Sequence, residues 1–406
     1  MSNKEKIIKW IDFLGEYTAY FYVFAIFIAS KLNLKTRYIL EVLFVLKIIL
    51  DYQNIKIKGK KIYYVYGIIL VIGILFNYLA SGNKVEAIHT FIGRNIRFYH
   101  GLMILIFINT KEKLIKMTNV ILAGTAFLGI GIWQKYGYVK LDIHRLRGII
   151  VLGAMFSMIY FIENVKKIGE KFLYKELLLS FIATIAGLLG IAYSDSRMGF
   201  LVIIGIAIAY IGYNLLQKFS IKKLIISFFI AVISLGIFYK TMPSWFEKEV
   251  KTSFETKHNF SNEARLIMWE GCWNAFKSSP IIGVGSLTTD VGPFVKKVGE
   301  NTTRGKALQE AFKNGMFPEG HSIYFNLLSQ VGMLTLVYLY LFFILIPQNF
   351  LKTDRNPIAV ASFFGMLSFL MYGMTWSVWS FYGLVQTLFQ IYLGILLSNL
   401  KEENIN

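Results

Sequence analysis

The chain alternates between long apolar runs and short polar segments rich in lysine. A helix that crosses a bilayer needs about 20 mostly apolar residues, and fewer where neighbours or long side chains at its ends help. On that measure the pattern predicts twelve membrane helices, centred near residues 22, 44, 70, 102, 124, 156, 183, 207, 231, 334, 365 and 388. Two are short, the second over Tyr38–Leu50 and the fourth over Ile96–Ile108. Glu41 and Lys47 flank the second near its two ends, where long side chains reach the headgroups. The opening MSNKEKIIKW, followed by an apolar run from Tyr17 to Ser30, looks like a secretion signal. It lacks a small-x-small cleavage site and more spans follow, so it reads as an uncleaved first span.

One stretch departs from this rhythm. Residues 241–320 are too polar to span a membrane, yet they are not a low-complexity linker. From Asn262 to Ser278 the apolar positions Met268, Trp269, Cys272, Trp273 and Phe276 fall at helical spacing, and Ser261 or Asn262 can cap the start. Pro280 and the glycines of IIGVGS end that helix. A second helical stretch runs roughly from Thr303 to Lys313 and stops at Asn314-Gly315. These helices are expected to lie on or over the membrane surface as a partial lid. The fold class is therefore all-α and polytopic, in three parts: residues 1–240 with nine spans, a helical loop at 241–320, and 321–406 with three spans and a short tail. No internal repeat and no appended soluble domain is visible.

Composition supports the membrane reading. The 406 residues are 55% hydrophobic and only 17% charged, more apolar surface than a soluble domain can hide. The net charge of +19 would suggest nucleic acid in a soluble protein. Here the lysines sit in short connections between spans, where they set topology and meet anionic lipid headgroups, and no separate basic face with interleaved aromatics exists. With the N-terminus inside, the inner connections carry twenty Lys and Arg and the short outer ones eleven. That asymmetry predicts both termini in the cytoplasm and the 241–320 loop outside. The single cysteine, Cys272, allows no intramolecular disulfide and no cysteine-based metal cluster.

That topology gathers three groups on the outer face. Arg197 opens an apolar run in SDSRMG, Arg265 lies in the loop in SNEARLIMWEGCW, and His321 closes the loop in FPEGHSIYFN. An interfacial arginine can simply anchor a helix to headgroups, but the positive-inside bias gives no reason for one on the outer side. Arg265 is expected in the first turn of its helix, where the macrodipole disfavours a cation, so a phosphate shared with the helix N-terminus would explain it. Histidine is the side chain that exchanges a proton near neutral pH, although it can also merely hydrogen-bond at an interface, the role expected of His89, His100, His144 and His258. Arg145 and Arg147 in DIHRLRG could add to an anion site or only meet lipid phosphates; with Trp269 and Glu319 they are the candidates for binding pyrophosphate or acceptor, and Glu319 or Asp195 could orient or replace the base. The chain has no HExxH, CxxC, GxxxxGK[ST] or DxD motif, so no metal or nucleotide cofactor is expected.

The three segments together resemble the O-antigen ligase and O-antigen polymerase superfamily. SDSRMG resembles its Ser-Arg-x-Gly at a span start, and RLIMWEGCWNAFKSSPIIGVGS its Arg-xxx-Trp…Pro-x-x-Gly-x-Gly loop. GHSIYFNLLSQVGML is similar to its His-Asn-x-Tyr…Gly pattern, with Ser322 where asparagine is usual, and the likeness covers roughly residues 180 to 340. The resemblance implies a GT-C-like architecture and a metal-independent, inverting transfer of a glycan from undecaprenyl pyrophosphate at the periplasmic face of a bacterial inner membrane. It implies that Arg197 and Arg265 hold the pyrophosphate and that His321 activates the acceptor hydroxyl. The first outer connection, KLNLKTR, holds no carboxylate, so transferases that place a catalytic acid there for monophosphate-linked sugars fit poorly. Within the superfamily the favoured activity is ligation to lipid A–core oligosaccharide, with polymerisation of lipid-linked repeat units as the alternative. A polysaccharide or lipid transporter is the reading from a different class. It fits less well, because transporters place ionisable groups at the bilayer midplane between related halves.

Overall fold

The structure, a computed structural model, describes residues 2–28, 30–134, 143–167, 174–194, 196–216, 259–317, 319–379 and 383–401. Helices dominate. In chain order they are α1 (Asn3–Ile28), α2 (Ser30–Asp51), α3 (Lys60–Ala80), α4 (Lys84–Asn95), α5 (Tyr99–Phe107), α6 (Lys111–Trp133), α7 (Ile143–Val165), α8 (Tyr174–Tyr193) and α9 (Arg197–Leu216). Then come α10 (Phe260–Ser278), α11 (Gly292–Glu300), α12 (Lys306–Lys313), the long α13 (Ile323–Leu351), α14 (Pro357–Tyr372) and α15 (Gly383–Ser398). No strand occurs among the described residues, only an isolated bridge between Thr353 and Leu400.

Every expected span centre that falls on described residues lies in a helical segment; the ninth, near residue 231, and the 240/241 boundary lie outside them. Among the described residues, seven helices are long and apolar enough to cross a membrane, and α14 and α15 are apolar but shorter. The chain is thus an all-α polytopic membrane protein. Helices α14 and α15 are almost wholly buried, so they form the centre around which the longer helices stand. At Gly101 and Gly394 the backbones of α5 and α15 nearly touch, since a Cβ on Gly394 would come within 2.4 Å of the Gly101 carbonyl oxygen. Small residues at such crossings are how helices pack when no hydrophobic force separates protein from lipid.

The two short spans are corrected. The second helix begins at Ser30, so KLNLKTR is its first two turns and not a loop. Lys47 does not reach for headgroups: it is buried and paired with Asp12 and Asp51, each at 2.7 Å, because desolvating a lone ammonium would be costly. The fourth span is a broken element. Helix α5 has only nine residues, about 13 Å at 1.5 Å per residue, and is preceded by a tight turn at residues 96–98 and by α4. Asn95 marks the break, its amide oxygen accepting from Tyr338 Oη at 2.5 Å and Trp379 Nε1 at 3.1 Å.

The loop between α9 and α13 has an apolar core of its own, in which Ile267, Met268 and Cys272 of α10 meet Leu287, Val295, Leu308 and Phe312. Helix α10 starts at Phe260, capped by Asn259 and not by Ser261 or Asn262, and α12 starts at Lys306 rather than near Thr303. Helix α11, in GPFVKKVGE, was not expected. The glycine pattern after α10 has a defined task. Helix α13 is interrupted at Gly332, which leaves carbonyls of the preceding turn without helical partners. Val284 N–H donates to the Ser329 carbonyl at 2.9 Å and Gly285 N–H to the Gln330 carbonyl at 3.2 Å, while Met333 N–H donates back to the Ile281 carbonyl at 3.1 Å. Gly283 and Gly285 have φ of +74° and +106°, values that a side chain resists. This seam fixes α10 relative to α13.

Candidate functional site

Arg197 is the first residue of α9, and the Ser196 hydroxyl caps that helix by accepting from Gly199 N–H at 3.1 Å. Arg147 of α7 donates from Nε to the Ser194 carbonyl at 2.5 Å and so braces the turn that presents Arg197. Arg147 therefore supports the site through its neighbour. The side chain of Arg145, and Asp195 entirely, lie outside the described residues, as do the side chain of His144 and all of His258.

Arg265 sits in the second turn of α10, not the first, because the helix starts earlier than its apolar spacing suggested. Side chains on a helix lean toward its N-terminus, and the guanidinium does so, donating to the Ser261 carbonyl at 3.4 Å and to Asn262 Oδ1 at 3.3 Å. Burial, and then the positive charge of Arg197, hold its pKa below the usual arginine value. Two guanidiniums close enough to repel in a half-buried place are relieved by an anion between them. One helical turn on, Trp269 stacks on Phe325 of α13, with ring centroids 5.2 Å apart and planes 10° from parallel. The Arg-xxx-Trp spacing thus ties the position of Arg265 to the start of α13.

His321 lies just before α13 with φ of +44°, a left-handed conformation uncommon for a residue with a side chain. Its backbone N–H donates to Glu319 Oε2 at 2.8 Å. The same oxygen accepts from Asn326 Nδ2 at 2.6 Å and from the Ser377 hydroxyl, so the buried carboxylate is fixed. Its other oxygen, Oε1, faces His321 Nε2 at 3.6 Å, too long for a hydrogen bond but within ion-pair range. The His321 ring keeps about a quarter of its surface open, with Phe317 and Trp376 edge-on at 6.3 and 5.8 Å between centroids. Gly320 allows this loop to press on α10, since a Cβ there would lie 2.6 Å from Cys272 Sγ.

The groups form one connected series. Arg197 and Arg265 interact, Arg265 feels Tyr372, Tyr372 stacks on Trp376, and Trp376 meets His321, which pairs with Glu319. Residues more than a hundred apart in the chain are linked in this series. The sequence reading missed Asn326, Ser377, Trp376 and Tyr372, and also Arg94, whose charge acts on Glu319. A signal for Arg94 existed: it is another arginine beside an apolar run on the expected outer side, the same oddity that singled out Arg197. Of the set-aside histidines, His89 is exposed, and His100 is buried between Tyr22 and Tyr99 with Nδ1 2.7 Å from the Arg97 carbonyl oxygen.

Chemically, this is a pair of arginines linked through two aromatic side chains to an imidazole–carboxylate pair. Residues 182–340 match the family model described as O-antigen ligase, a segment that contains Arg197, Arg265, Trp269, Glu319 and His321. No curated protein matches the chain.

Proposed function

Starting from a chain that carries an O-antigen ligase family domain over residues 182–340, we propose that the protein moves a glycan from undecaprenyl pyrophosphate to a hydroxyl of lipid A–core oligosaccharide. The reaction takes place at the periplasmic face of a bacterial inner membrane. The observation that carries this reading is the connection of the Arg197–Arg265 pair to the His321–Glu319 pair through Tyr372 and Trp376. His321 takes the proton of the acceptor hydroxyl on Nδ1, the ring nitrogen that does not face Glu319, and the hydroxyl oxygen bonds to the anomeric carbon with inversion. The bond from that carbon to the pyrophosphate oxygen breaks, and the leaving group departs with the electron pair. Pyrophosphate needs no proton if its charge is neutralised, and two arginines supply that neutralisation electrostatically. Glu319 stabilises the imidazolium that forms and fixes which ring nitrogen faces the acceptor. Arg147 supports Arg197, and Trp269 supports Arg265.

The test is deletion of the gene followed by gel analysis of lipopolysaccharide. Loss of all O-antigen from lipid A–core, with long polymer accumulating on undecaprenyl pyrophosphate, is the expected result. A core bearing a single repeat unit would instead assign polymerisation of lipid-linked units, and loss of O-antigen with the lipid-linked glycan held on the cytoplasmic side would assign transport.

A further inference from the structure

The lipid-facing side of α13 does not end where the helix is interrupted. After Gly332 it is a stripe of exposed apolar side chains, Met333, Leu336, Phe343, Ile344 and Leu351, on a helix long enough to span the bilayer. At its first member, Met333 N–H donates to the Ile281 carbonyl at 3.1 Å, so Ile281 lies beside Met333, and it is itself 63% exposed. Trp273 and Lys277, one turn apart near the end of α10, are exposed as well, and Trp273 packs on Phe276 with ring centroids 5.2 Å apart. Helix α3 gives a second gauge of depth. Its exposed apolar residues, Leu75 and Tyr78 among them, run to Leu79 at its end, and Lys84 lies over the Tyr78 ring at 4.6 Å. A tyrosine and a lysine so paired mark the boundary between hydrocarbon and headgroups. Just there, Ser81 Oγ donates to Asp290 Oδ2 at 2.6 Å, and a Cβ on Gly285 would come within 2.8 Å of Ser81 Cβ.

Two separate spans thus put the chain that follows α10 at the edge of the hydrocarbon layer and not in the water above it. An isoleucine left open at that level, continuous with a stripe that lipid covers, meets acyl chains rather than water. Lysine suits the rim of such a patch, since its stem covers apolar surface while its ammonium reaches a lipid phosphate. We propose that Trp273, Ile281 and Met333 anchor the loop in the leaflet beneath it, with Lys277 against a headgroup phosphate, so that the end of α10 is inserted in the membrane and not laid over it. Anchored there, and joined to α13 by the seam, α10 holds Arg265 at a fixed height over the bilayer.

The experiment places single cysteines in the full chain, labels them with a nitroxide and reconstitutes the protein in nanodiscs; Cys272 is buried and stays unlabelled. Collision with oxygen, which concentrates in hydrocarbon, is compared with collision with a water-soluble nickel chelate. At Ile281→Cys the oxygen-to-nickel ratio should be severalfold higher than at Thr303→Cys and close to that at Leu336→Cys. A ratio at Ile281→Cys equal to that at Thr303→Cys would overturn the anchor. Exclusion of both reagents, with dipolar broadening between labels, would show a second copy of the chain on the patch and overturn it too. Added to the Ile281→Cys protein, Lys277→Glu should lower the ratio severalfold, because phosphates repel a carboxylate, while Lys277→Met should not. An unchanged ratio in Lys277→Glu would overturn the lysine contact. Trp273→Phe, which keeps an aromatic ring, checks the depth without a label. It should remove part of the wild-type fluorescence that is quenched by lipids brominated near the carbonyl end of their chains, and no difference would overturn the insertion of Trp273. None of these readouts needs turnover, so their failure leaves the transferase reading as it stands.

Discussion

Oε2 of Glu319 accepts from the amide of Asn326, the hydroxyl of Ser377 and the backbone N–H of His321, and an oxygen held by three donors cannot turn away from the imidazole. Replacing the carboxylate by an amide keeps the shape but removes the negative charge that faces the imidazole. Glu319→Gln should therefore lower kcat by roughly 10- to 100-fold with little change in donor KM, while His321→Ala should lower transfer by the roughly 10²–10⁴-fold typical of a lost general base. Both are read from transfer by purified protein of normal expression and insertion. An Ala variant with wild-type rate would remove His321 from the reaction. The histidine was legible in the sequence because a proton-exchanging side chain at a span start is unusual. Ser377 was not, because it stands 58 residues from Glu319 and only the fold brings a lone serine in an aromatic stretch onto that oxygen.

Between elements, the question is what holds α10 still. Its Trp269 stacks on Phe325, and the chain that follows it caps the interrupted α13 through Val284, Gly285 and Ile281. Gly283 carries φ of +74°, and a Cβ there would sit 2.3 Å from the Gln330 carbonyl oxygen. Gly283→Ala should destabilise the protein by about 2 kcal/mol or more, from the left-handed backbone alone about 1–2 kcal/mol and the remainder from the contact. A fall in the midpoint of thermal unfolding in detergent measures it, and an unchanged midpoint would mean that the seam does not bear on stability. Trp269→Ala tests position rather than stability. Freed from Phe325, Arg265 should lose its register with Arg197, so donor KM should rise severalfold while acceptor KM stays put. The helical spacing of Met268, Trp269 and Cys272 was visible in the sequence, but α10 starts at Phe260, ahead of the expected Asn262, because Asn259 caps it before the first apolar repeat. Helix α11 opens on Gly292 and Pro293, a pair that by itself favours a turn, yet a proline in the first turn of a helix loses no hydrogen bond.

For the whole molecule, the span pattern was legible because a bilayer demands a fixed length of apolar helix, and a helix inside it must meet that demand or be shielded by those that do. The exceptions follow the same physics. The α4–α5 break and the short α14 and α15 are surrounded by other helices, where irregular backbone can find partners, so hydropathy alone misjudged the fourth span. Orientation rests on the lysine count and is open to direct measurement. Burial pushes the Cys272 thiol up to about 12, so at pH 8 it stays protonated and shielded, and an added cysteine should be the one that reacts. In intact cells, cysteines placed at Lys84 and Lys306 should react with a membrane-impermeant maleimide, while cysteines at Lys60 and Lys352 should react only after the inner membrane is permeabilised. Labelling of the second pair in sealed cells would invert the topology and put the His321–Glu319 pair in the cytoplasm, away from a periplasmic acceptor. The same preparations decide how the charge of the leaving pyrophosphate is met. If arginines meet it, transfer should continue at its full rate in excess EDTA, whereas an activity lost in EDTA and restored by a divalent cation would show that Arg197 and Arg265 alone do not carry it.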